Sequence, residues 1–234
     1  RCAGMLWELQ LTDKKTDRRE SVLRSCVAVR RIVQKIGGLR GILNATTSKE
    51  DLTSLLRSVL TSSTLHVRLI VKDATAFSVF YDMKEILRIV PDATVEIAKL
   101  AFDMALEMSM TTTSEDVSCA LKWSQESIQV SSRFGDPESE TQQELWEKSH
   151  FLRADIFVSS NEIKKASEEI DAVEILPKSN PDVWFFRTKI ACAAAQTGRA
   201  IESHEKLIHH PNTPNFETVM EATRMLAEHL GWKA

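Results

Sequence analysis

The chain has 234 residues, of which 43% are apolar and 27% are charged. This balance supports a globular core and excludes a disordered chain. The sequence contains no long apolar run, no charged leader followed by an apolar stretch and only four widely spaced cysteines, so we expect an intracellular, reducing location without a membrane span, a disulfide framework or a metal-binding cysteine pair.

The spacing of apolar residues indicates an all-α fold, and the distribution of charge indicates a binding surface. Segments with apolar residues three or four positions apart dominate, and stretches of alternating polarity are few. Residues 1–40 carry a net charge of +6, which leaves −9 on the remaining 194 residues. Such asymmetry is more typical of a binding surface than of an active site.

The first predicted helix spans residues 16–36 and has two opposite faces. Its apolar stripe contains Val22, Cys26, Val29, Val33 and Ile36. Arg24, Arg31 and Lys35 form a basic face on the other side, which can contact phosphates, contact an acidic protein or only face solvent. No aromatic residue interleaves with these cations, which disfavours binding of single-stranded nucleic acid.

Glycines are predicted to end this helix, and a capped helix follows them. Gly37 and Gly38 stop the helical pattern, and Gly41 is predicted to lie in the same loop. Ser48 predicts an N-cap, with Asp51 three residues later as in a capping box. The buried stripe of this second helix is predicted to contain Leu52, Leu55, Leu56 and Val59.

The following segment, from Leu65 to Val71, alternates in polarity like a strand. We interpret it as helix because it continues into Ala76, Phe80 and Met83 at helical spacing. Pro91 is predicted to end that helix.

A helical hairpin is predicted next, over residues 94–110 and 114–132, with Ser114 as the N-cap of its second helix. The polar link at 133–141 contains glycine and proline and is predicted to be a flexible joint.

The chain is predicted to have two parts, which meet after Pro91. They are an N-terminal helical segment, residues 1–91, and a helical repeat region, residues 92–234.

The repeat region contains one pattern twice, with a period of 34 residues. Three residues of the first copy recur in the second, in the pairs Ala166 and Ala200, Glu168 and Glu202, and Pro177 and Pro211. A helix, a turn, a second helix and a proline at this period resemble the tetratricopeptide repeat (TPR), whose first-helix small residue matches Ala154 and Ala191. The resemblance implies stacked antiparallel helical hairpins, that is, an α-solenoid. The alternative is an ordinary helical bundle in which the similarity between the two segments is a coincidence.

The two copies are expected to differ in their turns. Asn161 lies five residues before Ala166, where the TPR pattern has its turn residue. Gly198 lies only two residues before Ala200, which predicts a shortened turn in the second copy.

The order of several short motifs also resembles the meiotic TPR scaffold family, which supports crossover formation and chromosome synapsis. These motifs are Ala120-Leu121-Lys122-Trp123, Leu152-Arg153-Ala154-Asp155, Asn180-Pro181-Asp182-Val183-Trp184, His210-Pro211 and Met225-Leu226-Ala227-Glu228-His229. The resemblance implies a nuclear, chromosome-associated scaffold that binds other crossover-promoting proteins, with no catalytic residue and no cofactor. Members are usually much longer than this chain, which fits a fragment or a truncated gene model.

A groove for a protein partner is expected on the concave side, where the first helices of the hairpins lie. Counting from the small residues of those helices places six residues there, namely Lys148, Phe151, Asp155, Phe185, Thr188 and Gln196. The alternative is that both rings pack into the adjacent hairpin.

No catalytic motif is recognisable in the sequence, so we predict a non-enzymatic protein-binding scaffold. The second hypothesis is a nucleic-acid-contacting helical module that uses the basic face. The acids Glu168, Glu169 and Asp171 are interpreted as a solvated helix face, and His204, His209 and His210 lack further metal ligands at a suitable spacing.

Overall fold

The computed structural model describes residues 16–46, 48–111, 113–134, 139–175 and 180–232. This part of the chain forms eleven α-helices and no strand, so the all-α prediction is confirmed. The helices are α1 Thr16–Lys35, α2 Gly38–Ala45, α3 Lys49–Leu69, α4 Thr75–Leu87, α5 Thr94–Ser109, α6 Ser114–Phe134, α7 Glu140–Ser159, α8 Ile163–Glu174, α9 Asp182–Ala193, α10 Thr197–Ile208 and α11 Phe216–His229. None of them is both long and apolar enough to cross a membrane.

The glycine-rich segment after α1 is a helix, not the predicted loop. Gly37 and Gly38 have positive φ angles of 93° and 66°, which turn the chain after α1, and α2 starts at Gly38 itself. Gly41 lies inside α2, where a Cβ atom would meet the carbonyl oxygen of Ile36 at 1.5 Å. The close approach of α2 to the end of α1 therefore requires glycine at this position. The approach buries Ile42 in the core.

Helix α3 begins and continues as predicted but ends earlier than expected. The Ser48 hydroxyl accepts a hydrogen bond from the Asp51 amide at 3.4 Å, which confirms the N-cap. The helix runs as far as Leu69, and the Asp73 carboxylate then accepts the Thr75 amide at 2.8 Å, which starts α4 as a separate helix. Leu55 is 44% exposed, so its predicted place on the buried stripe is wrong.

The predicted hairpin is present as α5 and α6, with a different cap. The Thr113 hydroxyl accepts the Asp116 amide at 3.2 Å and donates to the Asp116 carboxylate at 2.7 Å. Thr113 therefore satisfies the first turn of α6, and the prediction of Ser114 as the cap is wrong. The hydroxyl that donates to Asp116 lowers the pKa of that carboxyl.

Helices α7, α9 and α11 end in the same kind of turn. Asn161, Ala195 and Gly231 each have a positive φ, between 53° and 78°. In each turn the amide of the next residue bonds to a carbonyl five residues upstream, with Gln196 to Ala191 at 2.8 Å as an example. This pairing is the Schellman type of helix end.

The two copies of the 34-residue pattern therefore have turns of equal length. Helix α8 starts at Ile163 and α10 starts at Thr197, 34 residues later. Gly198 lies inside α10, so the predicted shortened turn is wrong. The left-handed residue of the second turn is Ala195, which sequence reasoning did not recognise because alanine rarely adopts this conformation.

Successive helices pack in a regular order. Each odd-numbered helix contacts the next odd-numbered helix, from α1 with α3 to α9 with α11. Each odd-numbered helix from α1 to α9 also contacts the even-numbered helix that follows it. Helix α9 contacts α7, α8, α10 and α11, and no residue from Val183 to Ile190 is exposed.

The buried apolar residues form one large cluster and smaller ones beside it. The large cluster contains residues of α2 to α7, from Ile42 to Ile156, around the fully buried Trp123. The predicted division at residue 91 falls inside this cluster. A second cluster joins α7, α8 and α9 and contains Ala166, and a third contains Ala200. Both alanines are 0% exposed, as expected for residues at helix crossings. The predicted joint lies partly outside the described residues, because 135–138 are not among them.

Candidate partner-binding surface

The six residues predicted to line a partner groove lie at three different depths. Phe151 and Thr188 are buried, Asp155 and Phe185 are half-buried, and Lys148 and Gln196 are exposed. The structure therefore does not bring all six together on one accessible surface.

Phe151 belongs to the core between α7 and α9. Its ring stacks on the Phe186 ring, with centroids 4.9 Å apart and planes 5° apart, and Phe185 meets Phe186 edge-on at 5.1 Å. Phe151 is 6% exposed. Phe185 thus lies at the border of an aromatic group whose centre is Phe186. The sequence contains a signal for Phe186, because it falls three residues after Val183 and four before Ile190, both buried.

The side chain of Thr188 forms its hydrogen bond within its own helix. Its hydroxyl donates to the Trp184 carbonyl at 2.9 Å, and the residue is 0% exposed. Gln196 accepts a hydrogen bond from Arg199 at 3.1 Å at the start of α10, on the exposed surface. Neither side chain contributes to a groove between α7 and α9.

What remains accessible is a smaller surface formed by Lys148, Asp155, Phe185 and Lys189, which we call the α7–α9 surface. Lys189 forms an ion pair with Asp155 and so links the two helices. Lys148 pairs with Glu144 within α7 at 2.6 Å. The charges on this surface are compensated, and the half-buried Phe185 ring is the apolar element among them.

Beside this surface lies an acidic recess of about 280 Å³ at the N-terminal ends of α7 and α9. Glu147 is only 7% exposed, and its carboxylate accepts hydrogen bonds from Gln143 at 2.9 Å and Asn180 at 2.6 Å. Asn180 also accepts the amide of Asp182 at 2.9 Å. Burial raises the pKa of Asp182, and the negative charge of Glu147 raises it further. Sequence reasoning missed this recess because its residues come from three separate segments.

Ion pairs link the neighbouring helices, and two of the acids predicted to face solvent take part in them, Glu169 half-buried and Asp171 exposed. Glu169 accepts from His150 at 2.7 Å and from Arg153 at 2.7 Å, and Asp171 accepts from Arg187 at 2.5 Å. Burial alone would raise the pKa of Glu169, but the His150 hydrogen bond and the Arg153 charge outweigh burial, so that this pKa is lowered. Glu168 and Asp171 are exposed and match the predicted solvated face, whereas the prediction is wrong for Glu169.

The basic face of α1 is exposed, but one of its three charges is compensated. Arg24 forms an ion pair with Glu20 at 2.5 Å, which raises the pKa of Arg24 through the hydrogen bond and the charge of Glu20. Arg31 and Lys35 are exposed, and among the described residues neither has an ion-pair partner. The neighbouring Arg30 faces α4 instead and donates to Ser78 and Asp82 at 2.8 and 3.1 Å.

Two of the histidines near α10 bond to neutral groups. His204 lies 2.9 Å from the Thr223 hydroxyl, and His210 bonds within its own loop to Asn212. In the part of the chain that the structure describes, no three His, Cys, Asp or Glu residues are grouped to hold a metal ion.

Comparison of this chain with protein-family models, with curated proteins and with solved structures gives no match.

Proposed function

We propose that the chain is a non-enzymatic scaffold of stacked, TPR-like helical hairpins that binds a segment of another protein. The observation that supports this proposal is which helices contact one another. Each odd-numbered helix packs on the next odd-numbered helix and on its own following helix, with the same turn recurring after α7, α9 and α11. Contacts restricted to neighbouring hairpins are typical of repeat arrays, whose extended surfaces bind partners.

The α7–α9 surface is the proposed contact region. An extended or helical partner segment can place an apolar side chain against Phe185, while the Asp155–Lys189 pair offers both a donor and an acceptor beside it. The acidic recess around Glu147 adjoins this region and favours a partner that continues with basic residues.

The sequence resemblance to the meiotic TPR scaffold family suggests the class of partner. We propose crossover-promoting proteins of the meiotic chromosome as partners and the nucleus as the location. Capture from nuclear extract of meiotic cells tests this part, and recovery of only non-chromosomal proteins would remove it while leaving the scaffold proposal in place.

Two phenylalanine variants test the contact region itself. Phe151→Ala should cost about 3–5 kcal/mol of unfolding free energy because the ring is buried and stacked on Phe186. Phe185→Ala should cost clearly less and should abolish most of the partner capture. Denaturant unfolding and capture assays on both variants make the comparison. Unchanged capture by a folded Phe185→Ala variant would contradict the proposed surface.

A second candidate function is contact with nucleic acid through the basic face, because Arg31 and Lys35 are exposed without an ion-pair partner in the described residues. Two uncompensated cations can release only about two counterions, so binding to duplex DNA should show a shallow salt dependence. Replacing Arg24, Arg31 and Lys35 with Gln should leave stability within about 0.5 kcal/mol per site. Affinity for duplex DNA that falls with salt and is lost in these variants would favour nucleic acid over protein as the ligand.

A further inference from the structure

The first and the last described helix each expose a stripe of large apolar side chains. On α1 these are Ile32 and Ile36, whose amide continues the helix by bonding to the Ile32 carbonyl at 3.1 Å. On α11 they are Phe216 and Met220, and all four side chains are between 47% and 74% exposed. The outermost units of a repeat array normally present a polar face to solvent. Apolar stripes at both positions therefore suggest that each is covered by a protein surface.

The two stripes are complementary in the size of their side chains. In chain order, α1 presents two small and then two large residues, whereas α11 presents two large and then two small ones. At steps of three or four positions, these residues are Ser25, Ala28, Ile32 and Ile36 on α1, and Phe216, Met220, Thr223 and the half-buried Ala227 on α11. Parallel packing of the two helices places each large side chain opposite a small one, whereas antiparallel packing places large opposite large.

Charged residues beside the stripes match in the same orientation. On α1, Arg31 and Lys35 each come one position before a stripe isoleucine. On α11, Glu217 and Glu221 each come one position after a large stripe residue. In parallel coiled coils, the residue before a stripe position on one helix lies beside the residue after a stripe position on the other. Parallel packing therefore brings the basic side of α1 next to the acidic side of α11.

These charges are only partly compensated within the chain. Among the described residues, Arg31, Lys35 and Glu217 form no ion pair. The acidic side of α11 has three acids and one arginine, which leave a net charge of −2, and these are Glu217, Glu221, Glu228 and Arg224. On α1, the pair of Arg24 with Glu20 leaves the two charges of Arg31 and Lys35. Opposite charges at the edge of a contact favour association and fix its orientation.

We propose that α1 of one copy of this chain packs in parallel on α11 of a second copy, so that copies associate head to tail. Parallel packing is also the direction of α7 and α9, because Glu147 bonds to Asn180 and, further along both helices, Asp155 pairs with Lys189. The two contacting faces differ, so each added copy leaves one face open for another. The contact lies apart from the α7–α9 surface and goes beyond the proposed scaffold function.

Two double variants test the contact. Sedimentation velocity of the wild-type chain should show a mass that rises with protein concentration above the 26.4 kDa of one copy. Replacing Ile32 and Ile36 with Gln, or Phe216 and Met220 with Gln, should weaken association at least about tenfold. The replaced side chains are exposed, so both variants should keep the unfolding midpoint of the wild type.

The matched control combines Leu55→Gln and Leu106→Gln, which remove exposed apolar side chains from α3 and α5. This variant should associate like the wild type. A mixture of the two stripe variants separates head-to-tail from symmetrical pairing, because one has an intact α11 stripe and the other an intact α1 stripe. The mixture should form dimers with one copy of each variant and nothing larger. A symmetrical contact between two α11 helices would instead let the α1 variant associate by itself.

Charge reversal tests the orientation. Arg31→Glu with Lys35→Glu should weaken association roughly three- to tenfold, because like charges then meet across the contact. Adding Glu217→Lys and Glu221→Lys to the same chain should restore most of the association. All four residues are exposed, so these variants decide the question even if a stripe variant does not fold.

The proposal is overturned if the wild type stays at the mass of one copy, if either stripe variant associates like the wild type, or if the mixture of stripe variants stays monomeric. Failure of the α11 charge reversals to restore association overturns it as well. Association that nuclease treatment removes would show that nucleic acid links the copies and would have the same consequence. Phe185→Ala should associate like the wild type, so its loss of partner capture bears only on the scaffold function.

Discussion

At the scale of single residues, the turn after α9 contains a strained alanine. Ala195 has a φ of 53°, in the left-handed region that costs an L-residue roughly 1–2 kcal/mol. The equivalent residues in the other two turns are Asn161 and Gly231, which tolerate this region better. The strain persists because the amides of Ala195 and Gln196 both bond to the end of α9, at 3.1 and 2.8 Å.

Replacing Ala195 with glycine should therefore stabilise the protein. We expect a gain of about 0.5–1 kcal/mol, because the relief of strain exceeds the added freedom of the unfolded chain. Ala194→Gly is the matched control, since Ala194 has an ordinary φ of −81° and should lose stability when changed. Urea unfolding of both variants measures the effect. A loss of stability in both would show that the turn does not strain Ala195.

Glu169 should contribute a pH-dependent part of the stability. Its pKa is lowered from an ordinary 4.5 by the His150 hydrogen bond and the Arg153 charge, which outweigh burial. A lowered folded-state pKa means that the contribution is fully present above the unfolded-state pKa and is lost as pH falls through the lower folded value.

Glu169→Gln should accordingly cost about 2 kcal/mol at pH 7, since a charged acceptor of two hydrogen bonds is lost. The difference from the wild type should shrink as pH falls below 4.5 and Glu169 itself becomes protonated. Glu168→Gln, on the exposed side of the same helix, is the control and should give a small difference. Unfolding free energies between pH 7 and pH 3 provide the comparison, and a constant difference across this range would refute the role given to Glu169.

At the scale of helices, apolar spacing predicts which segments are helical but not which neighbour each face meets. The spacing of Ala166, Ile170 and Val173 locates the buried stripe of α8 correctly, since each is at most 2% exposed. It fails for α9, because four helices surround it and its aromatic residues contact different ones. Phe186 stacks on Phe151 of α7, and Trp184 lies beneath Lys206 of α10. The sequence therefore could not decide that Phe186 rather than Phe185 occupies the centre of the aromatic group.

Helix boundaries depend on local hydrogen bonds that residue types only partly reveal. Ser48 was identifiable as a cap, but Thr113 and Ser114 are adjacent and both suitable. The short helix α2 was not predictable, because its formation depends on two glycines that turn the chain and on burial of Ile42 against a core contributed by later helices. The acidic recess likewise joins Glu147 to Asn180, 33 residues away in sequence, and only the fold brings them together.

The cap of α6 provides a test at this scale. Thr113→Ala should cost about 1 kcal/mol, because the Asp116 amide loses its acceptor at the start of the helix. Ser114→Ala changes the adjacent hydroxyl and should have an effect within about 0.5 kcal/mol, since Ser114 is exposed. Denaturant midpoints of the two single variants are sufficient to separate them. A larger loss of stability for Ser114→Ala than for Thr113→Ala would show that Ser114 is the N-cap of α6.

At the scale of the whole molecule, the core is unevenly distributed along the chain. The cluster that spans α2 to α7 contains 25 buried apolar residues, whereas the one around Ala200, which includes Leu226 of α11, contains three. Another small cluster, also of three residues, joins α1 to α3 through Val22, Cys26 and Leu65. In an array whose units contact only their neighbours, local stability follows the local core. The middle helices should therefore open last and the two ends first.

Native-state hydrogen exchange should show this gradient directly. We expect the slowest amide exchange in α4 to α6, where the large cluster lies, and faster exchange in α1 and in α10 and α11. Ala200→Leu should increase this difference in exchange rates, because overpacking a fully buried alanine costs about 1–3 kcal/mol. The loss of protection should be confined to α9, α10 and α11, which meet at Ala200 or beside it.

Ala193→Leu adds the same side chain at an exposed position of α9 and is the control for the change in size. If the chain instead unfolds in one cooperative step, Ala200→Leu would lower the protection of the slowest amides in α4 to α6 by the same free energy as in α10. Such a uniform loss would argue for a single bundle, because a stack of hairpins transmits a local defect only to its neighbours.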